Sequence, residues 1–192
     1  MGKIFLTSDW HFGHDREFVW GARGFHNVHE MNEVIIERHN ALVGEDDDVY
    51  VLGDLALGGG GVEALENAQR LIERLNGRIH IILGNHDTAK RAEMYQTCLN
   101  VVEVCGWATM LKYKGYHLYL SHFPTMTGNL EKETLRQCTI NLFGHTHQKE
   151  MFYQDIPFMF HVGQDSHNCY PVLLDNAIEA MKDKVKECYE VM

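Results

Sequence analysis

The sequence contains no apolar run approaching the roughly 20 residues of a membrane-spanning helix. That predicts a chain with no membrane partner. Basic residues are also short: 17 Lys and Arg stand against 27 Asp and Glu, for a net charge of −10. Non-specific binding of nucleic acid draws on Lys and Arg, so long DNA or RNA is excluded as an expected partner. A short or single nucleotide is not. Cysteine is sparse and odd in number, at 5, with no C-x-x-C spacing. This argues against a disulfide framework or a structural zinc knuckle and predicts reduced thiols in a cytoplasmic protein. The chain opens Met-Gly-Lys and passes directly into an apolar strand, which does not read as a secretion signal. Gly2 does not read as a myristoylation site either, because residue 6 is Leu6. With only 3 Pro and no repeat or low-complexity segment, nothing divides the chain. One domain over residues 1–192 is expected. Oligomeric state is not legible.

What is abundant is histidine, at 13 residues. Imidazole is the commonest transition-metal ligand and the physiological proton carrier, so placement decides its meaning. Short apolar runs recur, each ending in a polar cluster. Lys3 to Thr7 runs into Ser8-Asp9-Trp10-His11. Val49 to Leu52 runs into Gly53-Asp54. Ile79 to Leu83 runs into Gly84-Asn85-His86-Asp87. His117 to Leu120 runs into Ser121-His122. Thr139 to Phe143 runs into Gly144-His145-Thr146-His147, and Phe158 to Val162 runs into Gly163. Runs of this length between Gly and polar residues predict buried strands. Helical spacing predicts helices over Val28 to Val43, Val62 to Leu75 and Pro171 to Val191. The stretches Val101 to Tyr113 and Tyr116 to Leu120 flank Lys114-Gly115 and predict a β-hairpin. Gly58 to Gly61 reads as a flexible connector, because no Lys-Ser/Thr follows to make a phosphate cradle. Strands alternating with helices imply an α/β fold, whose sites form at the C-terminal ends of strands. Five strand ends here carry polar clusters, which predicts one convergent site.

The clusters are individually modest signals. Asp9 and His11 can offer a carboxylate and an imidazole to one ion, since alternate residues of an extended segment point the same way. They read equally as a capping acid beside a surface histidine. Asp54 can bridge two cations through its two oxygens, or simply start a turn. Asn85 offers a neutral oxygen, and His86 beside Asp87 has the form of an oriented general acid. A lone His122 is more often a hydrogen-bonded histidine than a ligand, whereas His145 and His147 together can bind one ion or two neighbours. Their joint occurrence at successive strand ends is hard to explain as packing. Carboxylate, imidazole and amide donors without cysteine favour Mn²⁺, Fe, Zn²⁺ or Ni²⁺ over Ca²⁺.

The order D-x-H, G-D, G-N-H-D, H, G-H-x-H, from Asp9 to His147, resembles the calcineurin-like metallophosphoesterase superfamily. The string Ser8 to His14, with Glu30-Met31-Asn32-Glu33 and Val49 to Asp54, is similar to its small phage and bacterial branch. The resemblance implies a four-layer αββα sandwich, two packed mixed β-sheets flanked by helices. Sequence pattern alone does not separate that from a single open sheet. It also implies a hydrolase with two divalent metals. Asp9, His11 and His147 would bind the first, Asn85, His122 and His145 the second, and Asp54 would bridge them with a hydroxide as nucleophile. His86 would protonate the leaving oxygen or stabilise phosphoryl charge, and Asp87 would orient it. The implied substrate is a small or nucleotide-like phosphodiester. A phosphomonoester, or a catalytically silent metal-binding scaffold on the same fold, are the alternatives. His14 reads either as a phosphate contact or as a loop histidine. Arg16 and Arg23 read either as phosphate contacts or as solvated charges. His161, Asp165 and His167 receive no role.

Overall fold

The computed structural model of the chain describes residues 2–127 and 134–189. Its strands are β1 (Ile4–Thr7), β2 (Asp48–Leu52), β3 (Arg78–Ile82), β4 (Val101–Val104), β5 (Ala108–Tyr113), β6 (Tyr116–Ser121), β7 (Thr139–Phe143), β8 (Met159–His161) and β9 (Val172–Leu173). They form two mixed sheets, ordered β4-β3-β2-β1-β9 and β5-β6-β7-β8. In the first, β1 to β4 run parallel and β9 returns antiparallel along β1. In the second, β5 and β6 are antiparallel while β6, β7 and β8 run parallel.

The central strands are buried on both faces, which is why they read as continuous apolar runs. Phe5, Val51 and Ile81 point one way and meet Met31, Ile35, Leu71, Ile72 and Tyr95. These belong to helices α2 (Val28–Leu42), α3 (Val62–Ile72) and α4 (Ala89–Tyr95). The adjacent residues Leu6, Leu52 and Ile82 point the other way. They pack with Leu118, Leu120, Ile140, Leu142 and Phe160 of the second sheet, and with Ala177, Ile178 and Met181 of helix α5 (Leu174–Tyr189). Each such side chain contributes about 1.5–3 kcal/mol by leaving water. Two sheets packed face to face, with helices, make the sandwich that the family resemblance implies. No helix among the described residues is long and apolar enough to cross a membrane. No disulfide forms among them.

Helix α2 starts where its sequence says it should. The Asn27 side chain accepts from Glu30 N at 2.9 Å, and the Glu30 carboxylate accepts from His26 N at 2.7 Å. Two otherwise unpaired donors are thereby satisfied. The Lys114-Gly115 hairpin also forms as expected, with φ of 47° and 83°. Two left-handed residues are what a two-residue turn of this twist requires. Two expectations need correction. The run from Val101 to Tyr113 is two strands, not one; it breaks at Cys105-Gly106-Trp107, where the chain crosses from the edge of one sheet to the edge of the other. The C-terminal helix begins at Leu174 rather than Pro171, because Val172 and Leu173 pair with Leu6 and Phe5. The end of that expected helix, Glu190 and Val191, lies outside the described residues. Helix α4 and a short helix α1 (Glu17–Trp20) were not anticipated, being too short to show a period.

Buried on α2, His39 makes stability pH-dependent. It is 1% exposed, with Nε2 2.9 Å from Asn76 O and Nδ1 without a partner. Burial lowers its pKa from 6.5 to about 4. The unfolded chain therefore takes up a proton below pH 6.5 that the folded chain refuses until about 4. Stability from this group is complete above 6.5 and is lost as pH falls through that window. The expected loss is about 2 kcal/mol between pH 6.5 and 5. Urea unfolding of metal-free protein should show a shallower pH dependence in His39→Gln; identical slopes would remove His39 as the cause.

Candidate active site

Strands β1, β2, β3, β6 and β7 end together, and the polar residue after each turns inward. The turning is done by the backbone. Asp9, His11, Asp54, His145 and His147 have φ of 58°, 51°, 55°, 66° and 49°. Left-handed conformations at non-glycine residues cost about 1–3 kcal/mol each and persist only where surroundings enforce them. The enforcement is visible. Asp9 N donates to Gly53 O and His11 N to Asp54 O, both at 3.0 Å. The Asp9 carboxylate accepts from His145 N at 3.0 Å and from the Ser8 hydroxyl. Asp54 Oδ1 accepts from His86 N at 2.9 Å. These loops pass so closely that a Cβ on Gly144 would fall on Ser8 Oγ and Asp9 Oδ2, and one on Gly84 would fall on Asp54 Oδ1. Glycine is required there by space.

The structure brings the seven sequence-selected donors to one cleft. His11 Nε2 lies 3.2 Å from His147 Nε2, and each is within 4.0 Å of Asp9 Oδ1. His122 Nε2 lies 2.9 Å from Asn85 Oδ1, 3.2 Å from His145 Nδ1 and 3.5 Å from Asp54 Oδ2. Asp54 Oδ2 is also 3.9 Å from His11 Nε2, so this carboxylate stands between the two groups. Asp9, Asp54 and His122 are almost wholly buried, while His147 is open to solvent.

These atoms suit cations. His122 Nδ1 is 2.7 Å from Leu52 O and His147 Nδ1 is 2.8 Å from Asp165 Oδ2. Each contact fixes a ring proton on Nδ1 and turns Nε2 into the cleft. Burial, then the nearby Arg23 charge, hold the His11 pKa down at about 2, so its ring is a neutral donor. Burial opposes ionisation of Asp54, but the His122 hydrogen bond and charge outweigh it and hold the carboxyl at about 2. Among the described residues, the carboxylates of Asp9 and Asp54 have only histidines as ion-pair partners. Buried carboxylates and converging lone pairs without a fixed cation are unfavourable. Two nitrogens 3.2 Å apart match two ligands on one ion bound at about 2.0–2.1 Å. The donor set fits divalent metals of the transition series.

Other residues fall less as the sequence suggested. His86 stands on the rim, its side chain 44% exposed, with Nε2 3.9 Å from Asp54 Oδ2. Asp87 does not orient it. The Asp87 carboxylate instead accepts from Asp54 N at 2.7 Å, Gly84 N at 2.8 Å and the Tyr95 hydroxyl at 2.7 Å, and so fixes the turn beneath His86. Arg91, which the sequence did not single out, donates to His86 O at 2.6 Å and to Gly59 O at 2.8 Å. That fastens the His86 backbone and ties down the glycine-rich connector. His14 is half-buried, edge-on to Phe18, with its ring 5.4 Å from that of His11. Arg16 is exposed at the start of α1.

Arg23 is not a solvated charge. Its guanidinium is buried, forks onto Asp165 at 3.0 and 3.1 Å, and donates to Asp9 O at 2.8 Å. Asp165, given no role, accepts from both Arg23 and His147. Its signal was present: Gly163-Gln164-Asp165 follows an apolar strand as the other clusters do. His161 and His167 pack behind it, with His161 Nδ1 2.8 Å from Ser166 Oγ and His167 Nε2 2.8 Å from His161 O.

Comparison with known proteins gives this geometry relatives. A model described as the calcineurin-like phosphoesterase superfamily domain matches residues 3–168. An uncharacterised protein of Methanocaldococcus jannaschii is 31% identical over 191 residues, covering 95% of this chain and 93% of its own. The gene 66 protein of Mycobacterium phage D29 is 29% identical, covering 95% and 98%. Among solved structures, a protein of unknown function from Aquifex aeolicus superposes with a TM-score of 0.69 at 20% identity, over 93% of this chain and 99% of that one. That last likeness shows a shared fold.

Proposed function

The chain belongs to the calcineurin-like phosphoesterase superfamily and is a metal-dependent phosphoesterase, and we propose that it hydrolyses a small phosphodiester, cyclic or nucleotide-like, at a dinuclear metal site. The observation that carries this reading is the convergence of seven oxygen and nitrogen donors beside one solvent-reachable histidine. Asp9, His11 and His147 would hold one ion and Asn85, His122 and His145 the other, with Asp54 between them. Manganese is the first choice, and iron, zinc and nickel suit the same donors. When bound, such ions supply Lewis-acid polarisation of the phosphoryl oxygens and a water acidic enough to attack at neutral pH.

The chain's own part is to position and to move a proton. His86 Nε2 donates to the departing ester oxygen as the P–O bond breaks, and the attacking water supplies the new P–OH. Its exposure lets it regain a proton from solvent. Arg91 and Asp87 keep the His86 backbone in place. A diester has two arms, and a cavity of about 410 Å³ bordered by His147 offers room for the second. The acidic balance of the chain keeps the substrate small.

The test is metal-free protein reloaded with Mn²⁺ and assayed on bis(p-nitrophenyl) phosphate, p-nitrophenyl phosphate and cyclic nucleotides. Bound metal is measured on the same sample. Two ions per chain with diester turnover exceeding monoester turnover is expected. A dominant monoesterase activity would overturn the diester assignment. Inactivity with both ions bound would leave a metal-holding scaffold.

A further inference from the structure

The cavity beside His147 carries a positive balance of charge in a chain whose net charge is −10. Arg23, Arg38, Lys149, Gln164, Asp165 and Asn168 are among the residues lining it. The Arg23–Asp165 pair is neutral as a unit, so Arg38 and Lys149 set the local charge. Arg38 is held in place. Its Nη1 donates to Asn168 O at 2.5 Å, and its guanidinium lies over the Tyr170 ring, 5.1 Å from the centroid. That carbonyl uses one of five guanidinium donors. The loop that carries it is bent to fit, with Asn168 and Cys169 both left-handed at φ of 48° and 58°. Lys149 is exposed and has no carboxylate partner among the described residues. Arg38 and Lys149, neither with a carboxylate partner among the described residues, thus face a polar cavity of about 410 Å³ in a chain of net charge −10. Such a place focuses potential on an anion.

We propose that this cavity is a second anion subsite, which takes a further phosphate group carried on one arm of the diester. This rests on the phosphoesterase reading of the adjoining cleft and narrows its substrate to a short nucleotide-like diester bearing an additional phosphate. Two cations suffice for one phosphate and are too few for a long polyanion.

Calorimetric titration of the metal-loaded protein with thymidine 3′,5′-bisphosphate and with thymidine 5′-phosphate tests it without requiring turnover. At low salt the bisphosphate is expected to bind about tenfold more tightly, with the advantage shrinking as salt rises. The Arg38→Gln/Lys149→Gln variant should bind the two within about twofold of one another. Lys149→Gln alone, at an exposed position, should give an intermediate ratio. Removing equal charge outside the cavity, in Lys112→Gln/Lys182→Gln, should preserve the full ratio. Equal binding by the wild type overturns the subsite, as does no binding of either nucleotide. So does an advantage that survives in Arg38→Gln/Lys149→Gln, or one that disappears in the control. The two readings fail separately. A retained preference without hydrolysis of any ester rejects the catalytic assignment alone, and hydrolysis of bis(p-nitrophenyl) phosphate without the preference rejects the subsite alone.

Discussion

Replacing His86 with alanine is expected to lower kcat by about 10²–10⁴-fold while the protein keeps its full complement of metal. The split follows from position. The His86 ring is not one of the seven converging donors, and its Nε2 stands 3.9 Å from Asp54 Oδ2, facing the cleft from the rim. What His86 gives to the site's architecture it gives through its backbone, where N donates to Asp54 Oδ1 and O accepts from Arg91. Truncating the side chain leaves both contacts. Because the ring is 44% exposed, stability should change by no more than about 0.5 kcal/mol. The leaving group supplies the sharper measurement. A general acid matters most when the departing oxygen is a poor leaving group, so a nucleoside or alkyl ester should suffer far more than a p-nitrophenyl ester. Equal losses on both esters would make His86 a stabiliser of phosphoryl charge instead of a proton donor. Full activity would remove it from the chemistry, and loss of metal would move it among the ligands.

The parts of this site that are legible in the sequence are those written as a strand followed by a glycine or serine and then a polar residue. Asp54, Asn85, His122, His145 and His147 follow apolar runs, and an apolar run makes a strand whose end has one address in the fold. The arrangement into two sheets is legible through the family resemblance and not through the pattern of apolar runs. A strand buried on both faces reads the same in an open sheet and in a sandwich, and the crossing at Cys105-Gly106-Trp107 interrupts the apolar pattern for only three residues. At Asp87, adjacency to His86 in sequence is not adjacency of side chains. Neighbouring residues in a turn diverge, and here one ring faces the cleft while the carboxylate turns under it to collect backbone donors. Arg91 carried no signal, since its partners are carbonyl oxygens that every residue possesses. Arg23 and Asp165 lie 142 positions apart. No local pattern joins such a pair, although the strand-end position of Asp165 marked half of it.

That pair carries the second large expectation. Asp165→Ala should destabilise the metal-free protein by about 3–5 kcal/mol, because it leaves a buried guanidinium without its counter-charge. Burial opposes ionisation of Asp165, but the His147 and Arg23 hydrogen bonds hold its carboxyl well below the usual range, so the partner removed is an anion. The same substitution should weaken one of the two bound metals by about 10–100-fold, the range for losing the carboxylate behind a liganding imidazole. The affected ion would be the one assigned to Asp9, His11 and His147, since only His147 is held by Asp165. Stability and metal affinity can be separated. In Arg23→Met/Asp165→Leu both charges are gone, and the fold should recover much of the loss because no unpaired charge remains buried. Metal affinity should not recover, because the His147 ring still lacks the acceptor that sets its tautomer and direction. Calorimetric titration of Mn²⁺ into the wild type, the single variant and the double variant, beside urea unfolding of each without metal, reads the two effects independently. If affinity returned together with stability, Asp165 would act only by holding the fold. If it stayed low while stability returned, the carboxylate behind His147 would be a positioning residue of the metal site.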